Sequence, residues 1–416
     1  MKKLLFLAAF TLASAVMYAG GYRVSLQGNK SLAMGHTGVA VVNSAELMFH
    51  NPAGLVYLEN KLNISVGGFG VLSNIAYQNE MTGATERTDS GVGTPFYAYV
   101  SYQATDWLSL GLGVYTPYGS GVTYEDDWAG SHLINNIDLA AIYVQGSAAF
   151  KINEFFSVSG GFIYVTGSVN FNRNLSRSLA DLEGNRSEVT IDASGVSSTG
   201  WTVSAMFNVS EKFRLGATYR SLIRLEADEA TATFDNIPNS PATPFADTNA
   251  SAELPLPAEM TVGLSYEFCD KWLFAFDLNT TFWGVYESLD IDFENPAIPD
   301  SFNARNYKNS INARFGLQYE ASDKFTLRGG YYYDQSPVQA GYFAPETPRN
   351  DSNNYTAGLS FKVNDRLDID ASFLYVHSIE VDASYDYYFE SGVAAPFAGT
   401  YKTNAFVPGL GVTYKL

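Results

Sequence analysis

The sequence predicts an all-β fold, a fourteen-stranded antiparallel transmembrane β-barrel with an N-terminal hatch, or plug, in its lumen. Three observations predict it. Six short polar turns recur along the chain, each handing over to a segment that opens on an aromatic residue or leucine. The segments between the turns alternate apolar and polar residues. Beyond the first residues, no run of about 18 apolar residues offers a membrane-crossing helix.

The turns are Ala104-Thr105-Asp106-Trp107, Ile152-Asn153-Glu154-Phe155, Ser210-Glu211-Lys212-Phe213, Cys269-Asp270-Lys271-Trp272, Ser322-Asp323-Lys324-Phe325 and Asn364-Asp365-Arg366-Leu367. Their acidic residues, at 106, 154, 211, 270, 323 and 365, lie 42 to 59 residues apart, the length of two membrane-crossing strands and one long loop. Placed on one side of a membrane, the six turns join twelve strands, and a lone strand at each end makes fourteen. Short turns inside and long loops outside are the plan of an outer-membrane barrel.

In chain order, residues 1–19 read as a signal peptide. Met1-Lys2-Lys3 is a positive start, Leu4 to Val16 is apolar, and cleavage falls after Ala19 or after Ala15. No cysteine follows either site, which argues against a lipid anchor. Residues 20–58 hold no alternation long enough to span a membrane. Gly28 to Gly54 is rich in small residues, and Met48, Phe49, Leu55, Val56 and Tyr57 lie close together. A tail of low complexity rarely carries such a cluster, so this segment is expected to be a compact hatch filling the interior that fourteen strands leave open. Within it Asn51-Pro52-Ala53 fixes a turn.

Residues 59–416 form the expected barrel, with strands near 61–72, 94–103, 107–116, 138–151, 155–171, 199–209, 213–225, 258–268, 272–286, 308–320, 324–334, 354–363, 367–380 and 403–416. In the tenth, Ile311, Ala313, Phe315, Leu317 and Tyr319 share one face, and Asn312, Arg314, Gly316, Gln318 and Glu320 the other. A lumen lined by fourteen strands of Tyr, Phe and Leu is too wide to fill, so the apolar face looks at lipid. Trp107, Phe155, Phe213, Trp272 and Phe325 follow the turns as an aromatic girdle at headgroup depth. The third strand carries Gly111, Gly113 and Thr116-Pro117, residues suited to a break in the ladder or, for the glycines, to close neighbours inside the barrel. The last strand ends Leu410-Gly411-Val412-Thr413-Tyr414-Lys415-Leu416, a form suited to closing the barrel and to presentation to an assembly machine.

Composition agrees. Aromatics are 15% of residues and glycine numbers 36, while mean hydropathy is only −0.07, because lipid-facing and lumen-facing residues cancel. A net charge of −18 argues against nucleic acid as a partner. Cys269 is the sole cysteine, so neither an internal disulfide nor a thiolate metal site is expected, and no cofactor is implied. His36, His50, His132 and His377 lack any catalytic Ser or Asp context, which argues against an enzyme.

Five motifs give the chain a resemblance. They are Asn51-Pro52-Ala53, Tyr124-Glu125-Asp126-Asp127-Trp128-Ala129-Gly130, Leu254-Pro255-Leu256-Pro257, Trp283-Gly284-Val285-Tyr286 and Tyr332-Tyr333-Asp334-Gln335-Ser336-Pro337-Val338. In this order on a fourteen-strand count, they make the chain similar to the FadL family of outer-membrane long-chain fatty acid transporters, also called the toluene-transporter or OMPP1 family. The resemblance implies a monomeric barrel in the outer membrane of a Gram-negative bacterium. It implies passive uptake of long-chain fatty acids, or by the same route of aromatic and other hydrocarbons, with cargo leaving sideways into outer-membrane lipid through a gap beside a kinked third strand at Gly111, Gly113 and Pro117. The hatch distinguishes such a protein from an open porin.

Tyr22 matches the family's pocket aromatic near the mature N-terminus. For a carboxylate, alternation turns Arg214, Arg220, Arg314, Arg328 and Lys362 inward beside Asp277, Asp334, Asp368 and Asp370. Arg314 and Arg328, on adjacent strands, rank first, and the alternative is that these charges pair with one another and with the hatch. In the outer loops Leu175, Leu179 and Leu182 recur near helical spacing, and Phe234, Ile237, Pro238, Pro241, Pro244 and Phe245 cluster. They suit capture of a hydrophobic ligand or packing over the barrel mouth.

Overall fold

The computed structural model describes residues 21–125, 127–239 and 245–416. The signal-peptide reading of residues 1–19, Asp126 of the second motif, Pro241 and Pro244 lie outside the described residues.

The alternating segments fold into fourteen antiparallel strands. They are β1 (Leu62–Phe69, continued by Leu72–Asn79), β2 (Phe96–Thr105), β3 (Leu108–Thr123), β4 (Asn136–Lys151), β5 (Phe156–Asn174), β6 (Glu188–Ser210) and β7 (Phe213–Arg220 and Ile223–Asp235). The second half comprises β8 (Thr248–Leu256 and Glu259–Cys269), β9 (Trp272–Thr281 and Ser288–Phe293), β10 (Ser301–Ala304 and Ser310–Glu320), β11 (Phe325–Asp334), β12 (Ser352–Asn364), β13 (Leu367–Ser378 and Val381–Tyr385) and β14 (Phe397–Lys415). Each pairs with the next, and β1 pairs with both β2 and β14, from Asn63 opposite Lys415 to Phe69 opposite Gly409, so the sheet closes without an edge. All six polar turns join neighbouring strands at one end of this barrel.

The facing follows the sequence pattern. On β10 Phe315 is 42% exposed while its neighbour Arg314 is 3% exposed and points into the lumen. Ile311, Leu317, Leu327, Phe373, Leu410 and Val412 join Phe315 on the outer surface. Phe315→Arg therefore places a charge in the lipid-facing band and is expected to cost ~2–4 kcal/mol of barrel stability. The heat-modified gel transition checks this. A larger loss from Arg314→Leu would mean that the two faces are exchanged.

The strands run further outward than the lipid-facing alternation predicts. Along β7 Ile223, Leu225, Ala230, Ala232 and Phe234 are buried while Arg224 and Glu226 are exposed, so beyond the membrane the barrel turns apolar inward and polar outward. The pattern sought along the membrane segments is reversed there, and a bulge between Ala227 and Ala230 adds a shift of register. The resulting outer cluster packs Val189, Ile191 and Ala193 of β6 against Phe234, Ala250 and Ile291.

Inside the barrel, residues 22–41 and 44–56 are buried almost throughout. They carry a short helix α1 (Asn29–Leu32), a second α2 (Leu47–His50) and a 3-10 turn Pro52–Tyr57. Glu46 caps the first, accepting from the Lys30 and Ser31 amides at 3.1 and 3.0 Å. Lumen-facing glycines let this segment lie directly on the wall. A Cβ on Gly330 would come within 2.2 Å of the Gly35 nitrogen, and one on Gly216 within 2.2 Å of the Val39 oxygen.

Candidate functional site

The wall is interrupted on β3. Its ladder with β2 ends at Tyr97 opposite Tyr115, and its register with β4 shifts between Tyr115 and Tyr118. Pro117 lacks the N–H that a ladder needs. From Tyr115 to Val122 every residue is buried, so the strand turns inward instead of presenting one face to lipid. The break belongs to Thr116-Pro117 and not to the glycines: Gly111 stays paired with Ser101 and Ser147, and Gly113 with Tyr99 and Gln145. Gly111 instead makes room for Met48, whose sulfur would lie 2.1 Å from an added Cβ, and Gly113 makes room for Tyr99. Valine at either position would disrupt packing inside the barrel without closing the gap.

The N-terminal segment takes up the freed edge of β3. The Val24 amide donates to Pro117 O at 2.7 Å, the Gly119 amide donates to Tyr22 O at 2.7 Å, and Arg23 stands opposite Tyr118. The Gln27 side chain adds a bond to Thr116 O at 2.9 Å. A buried ion pair, Arg23 Nη2 to Glu259 Oε2 at 2.8 Å, ties this stretch to β8, and the Tyr118 hydroxyl donates to Glu259 Oε1 at 3.1 Å and to Pro257 O at 2.9 Å. The Leu254-Pro255-Leu256-Pro257 motif supplies the carbonyl acceptors: β8 breaks after Leu256, the Pro257 carbonyl receives Tyr118, and the Pro255 carbonyl accepts the Tyr22 hydroxyl.

Asn51-Pro52-Ala53 sits elsewhere, against β5 and β6. Asn51 Nδ2 donates to Val39 O at 2.7 Å and Ala205 O at 3.0 Å, the Ala53 amide donates to Ser204 Oγ at 3.0 Å, and Ser157 Oγ donates to Ala53 O at 2.7 Å. The motif anchors the segment to the wall, and the strip at the gap is Tyr22–Val24.

Beside that strip lies an apolar cavity of about 830 Å³, its open mouth included. Ile137 and Leu139 of β4, Val169 and Phe171 of β5, Ile191, Leu225, Leu254 and Leu289 line it, with Tyr22, Tyr286 and Glu346 among the few polar side chains. Tyr22 meets Trp283 and Tyr286 edge-on, with ring centroids 5.0 and 5.5 Å away, which places the Trp283-Gly284-Val285-Tyr286 motif behind the ring. Glu346 is paired with buried Arg305, which also reaches the Tyr385 hydroxyl at 3.2 Å. Arg173 stands two residues beyond Phe171 on β5. It donates to Ser301 Oγ at 2.9 Å and has no carboxylate within ion-pair distance among the described residues.

Of the residues expected in the pocket, Tyr22 lines this cavity, and Arg314 and Arg328 do not. Arg314 reaches back to His36 O at 3.4 Å, and Arg328 donates to Gln318 Oε1 at 2.8 Å and Ser360 Oγ at 2.5 Å. Lys30 in turn binds Asp368 at 3.1 Å. These contacts tie strands β10–β13 to the N-terminal segment and to one another, but neither Arg314 nor Arg328 has a charged partner within ion-pair distance among the described residues.

In the outer loops, Leu175 and Phe245 pack against the cluster around Phe234, which is 9% exposed, so these three serve packing at the mouth. Leu175, Leu179 and Leu182 form no helix: the segment is a turn in which Asp181 accepts the Glu183 and Asn185 amides, leaving Leu182 exposed. Trp128 of the second motif stacks on Tyr124 at 3.8 Å and donates to Ile134 O at 2.6 Å, and nearby His132 packs on Tyr388 and Phe397. Burial, with Arg177 beside it, pushes the His132 imidazole down to about 3, so this loop contact is made by a neutral ring.

Arg23, Glu259, Arg305 and Arg173 are not marked by the sequence pattern. Arg23 alone carried a signal, standing next to the pocket tyrosine in a segment otherwise poor in charge.

A closed fourteen-stranded barrel with an apolar cavity at a wall interruption is the build of an outer-membrane transport channel. The chain belongs to the outer membrane protein transport protein family (OMPP1/FadL/TodX), whose model matches residues 9–416. It is therefore an outer-membrane transport protein and not an enzyme. It is 22% identical to a long-chain fatty acid transport protein of Escherichia coli O6:H1, over 96% of this chain and 97% of that protein. In fold it is similar to a FadL homologue of Pseudomonas aeruginosa (TM-score 0.80, 19% identity, 95% of this chain and 100% of the other). It is also similar to the toluene transporter TodX of P. putida (TM-score 0.74, 17% identity, 94% of this chain and 98% of the other).

Proposed function

We propose that the protein is a passive transporter of hydrophobic compounds, long-chain fatty acids first among them, and that cargo leaves sideways through the wall at β3. One residue carries the reading: the Tyr22 ring lines the apolar cavity while its carbonyl accepts from the freed edge of β3. Moving Tyr22–Val24 joins cavity to gap. Exit into lipid suits such cargo, because each CH₂ sent into water costs ~0.8 kcal/mol. Residues 20–58 then act as the hatch of a monomer, delivered by the signal peptide of residues 1–19 and inserted by the barrel assembly machinery. The fatty acid transport protein among its relatives supports this cargo class.

Aromatic hydrocarbons are the second reading. The cavity wall supports it, since the one carboxylate there, Glu346, is matched by Arg305 and no free cation lines the apolar surface among the described residues. Arg173 separates the two readings, because it is the cation placed beyond Phe171 to meet a carboxylate whose chain enters the cavity. Arg173→Gln is expected to lower uptake of radiolabelled oleate about tenfold, the loss of one charge-assisted bond, and to leave toluene uptake unchanged. Unchanged oleate uptake would give the site to hydrocarbons.

A further inference from the structure

We propose that Arg314 and His36 together bind a small monovalent anion in the seam between the N-terminal segment and strands β10 and β11. Arg314 is 3% exposed and has no carboxylate within ion-pair distance among the described residues. Its hydrogen bonds are long, from Nε to Asn312 Oδ1 at 3.3 Å and from Nη1 to His36 O at 3.4 Å, and Nη2 has no partner among them. Asp334 and one oxygen of Asp277 are engaged elsewhere. Asp334 pairs with Arg349 and accepts Asn312 Nδ2 at 3.0 Å. Asp277, opposite Arg314 across the β9–β10 ladder, gives Oδ2 to the Gly38 and Val39 amides at 2.8 and 3.1 Å, while its Oδ1 has no hydrogen-bond partner among the described residues. A guanidinium keeps its proton, so Arg314 carries a buried charge with no direct ion pair of its own.

His36 supplies the second wall of the site. It is 1% exposed, and neither ring nitrogen has a partner among the described residues. Its φ of 61° holds a non-glycine residue in the left-handed region, a strain that persists only where the surroundings fix it. Tyr332 of β11 fixes the ring, edge-on with centroids 5.1 Å apart. Two buried side chains in contact through the His36 carbonyl thus keep polar nitrogens with no hydrogen-bond partner among the described residues. A halide ion or the carboxylate end of an acid satisfies both, and in doing so pins the N-terminal segment to β10 and β11.

Crystals of the protein purified from outer membranes and soaked in bromide are expected to show an anomalous peak in contact with Arg314 Nη2 and the His36 ring. In halide-free crystals soaked with 12-bromododecanoate, carboxylate density on the same pair, with the bromine peak a chain length away, would identify an acid as the occupant. Arg314→Gln is expected to abolish either signal. His36→Gly, compatible with the positive φ, does the same if the first variant fails to fold. Bromide is also expected to raise the midpoint of the heat-modified gel transition of the wild type and not of the variants. No signal in either soak, or a peak that survives both substitutions as an adventitious ion only, overturns the proposal.

Discussion

Deleting residues 22–55 is expected to leave a folded barrel that conducts small hydrophilic solutes. The ladder closes without them, since β1 pairs with β2 and β14 through backbone bonds of its own. The deletion removes the ion pairs of Arg23 with Glu259 and Lys30 with Asp368. It also removes the apolar contacts of Met48, Leu55 and Val56. The wall groups left behind are not stranded, because water floods the emptied lumen and hydrates Glu259, Asp277, Asp368 and Asp370. A buried charge is costly only while it is kept from solvent. The barrel should keep its heat-modifiable gel shift, and its conductance in planar bilayers should rise from near zero to a steady open level. Unchanged conductance would mean that the segment does not fill the lumen.

The barrel was legible because a membrane imposes a strict rule on each crossing segment. Phe315, Leu317 and Ile311 must face lipid while Arg314 and Asn312 face the lumen, and the polar turns recur where strands reverse. Outside the lipid that rule lapses. Ile223 to Asp235 obeys the opposite one, so the outer strands escaped notice. The motifs were visible as words but not as contacts: nothing in Asn51-Pro52-Ala53 says that it lies on β5 and β6, and nothing in Leu254-Pro255-Leu256-Pro257 says that its carbonyls receive Tyr22 and Tyr118. The arginines show the same limit. Alternation correctly turned Arg314 and Arg328 inward, but inward is where a plugged barrel also keeps its bracing, and the contacts of Arg314 with His36 and of Arg328 with Gln318 and Ser360 cannot be read from alternation. Gly111 and Gly113 marked close packing against Met48 and Tyr99, whereas the break came from the missing N–H of Pro117.

Lateral exit requires Tyr22–Val24 to leave the edge of β3 for cargo to pass. Arg23 and Tyr118 lie opposite each other, flanked by the bonds from Val24 to Pro117 and from Gly119 to Tyr22, which makes them a close, non-hydrogen-bonded pair. Such pairs hold their Cα atoms about 4.5 Å apart, within reach of a disulfide. Cells lacking their own transporter and expressing Arg23→Cys/Tyr118→Cys, with the exposed Cys269 changed to Ser, are to be assayed for radiolabelled oleate uptake before and after reduction. The reduced form is the reference, since it already lacks the Arg23–Glu259 pair. Lateral exit predicts uptake at background while the disulfide is intact and recovery on reduction, with equal surface amounts of protein. Equal uptake in the oxidised and reduced states would contradict it and would send the cargo straight through the lumen past a displaced hatch.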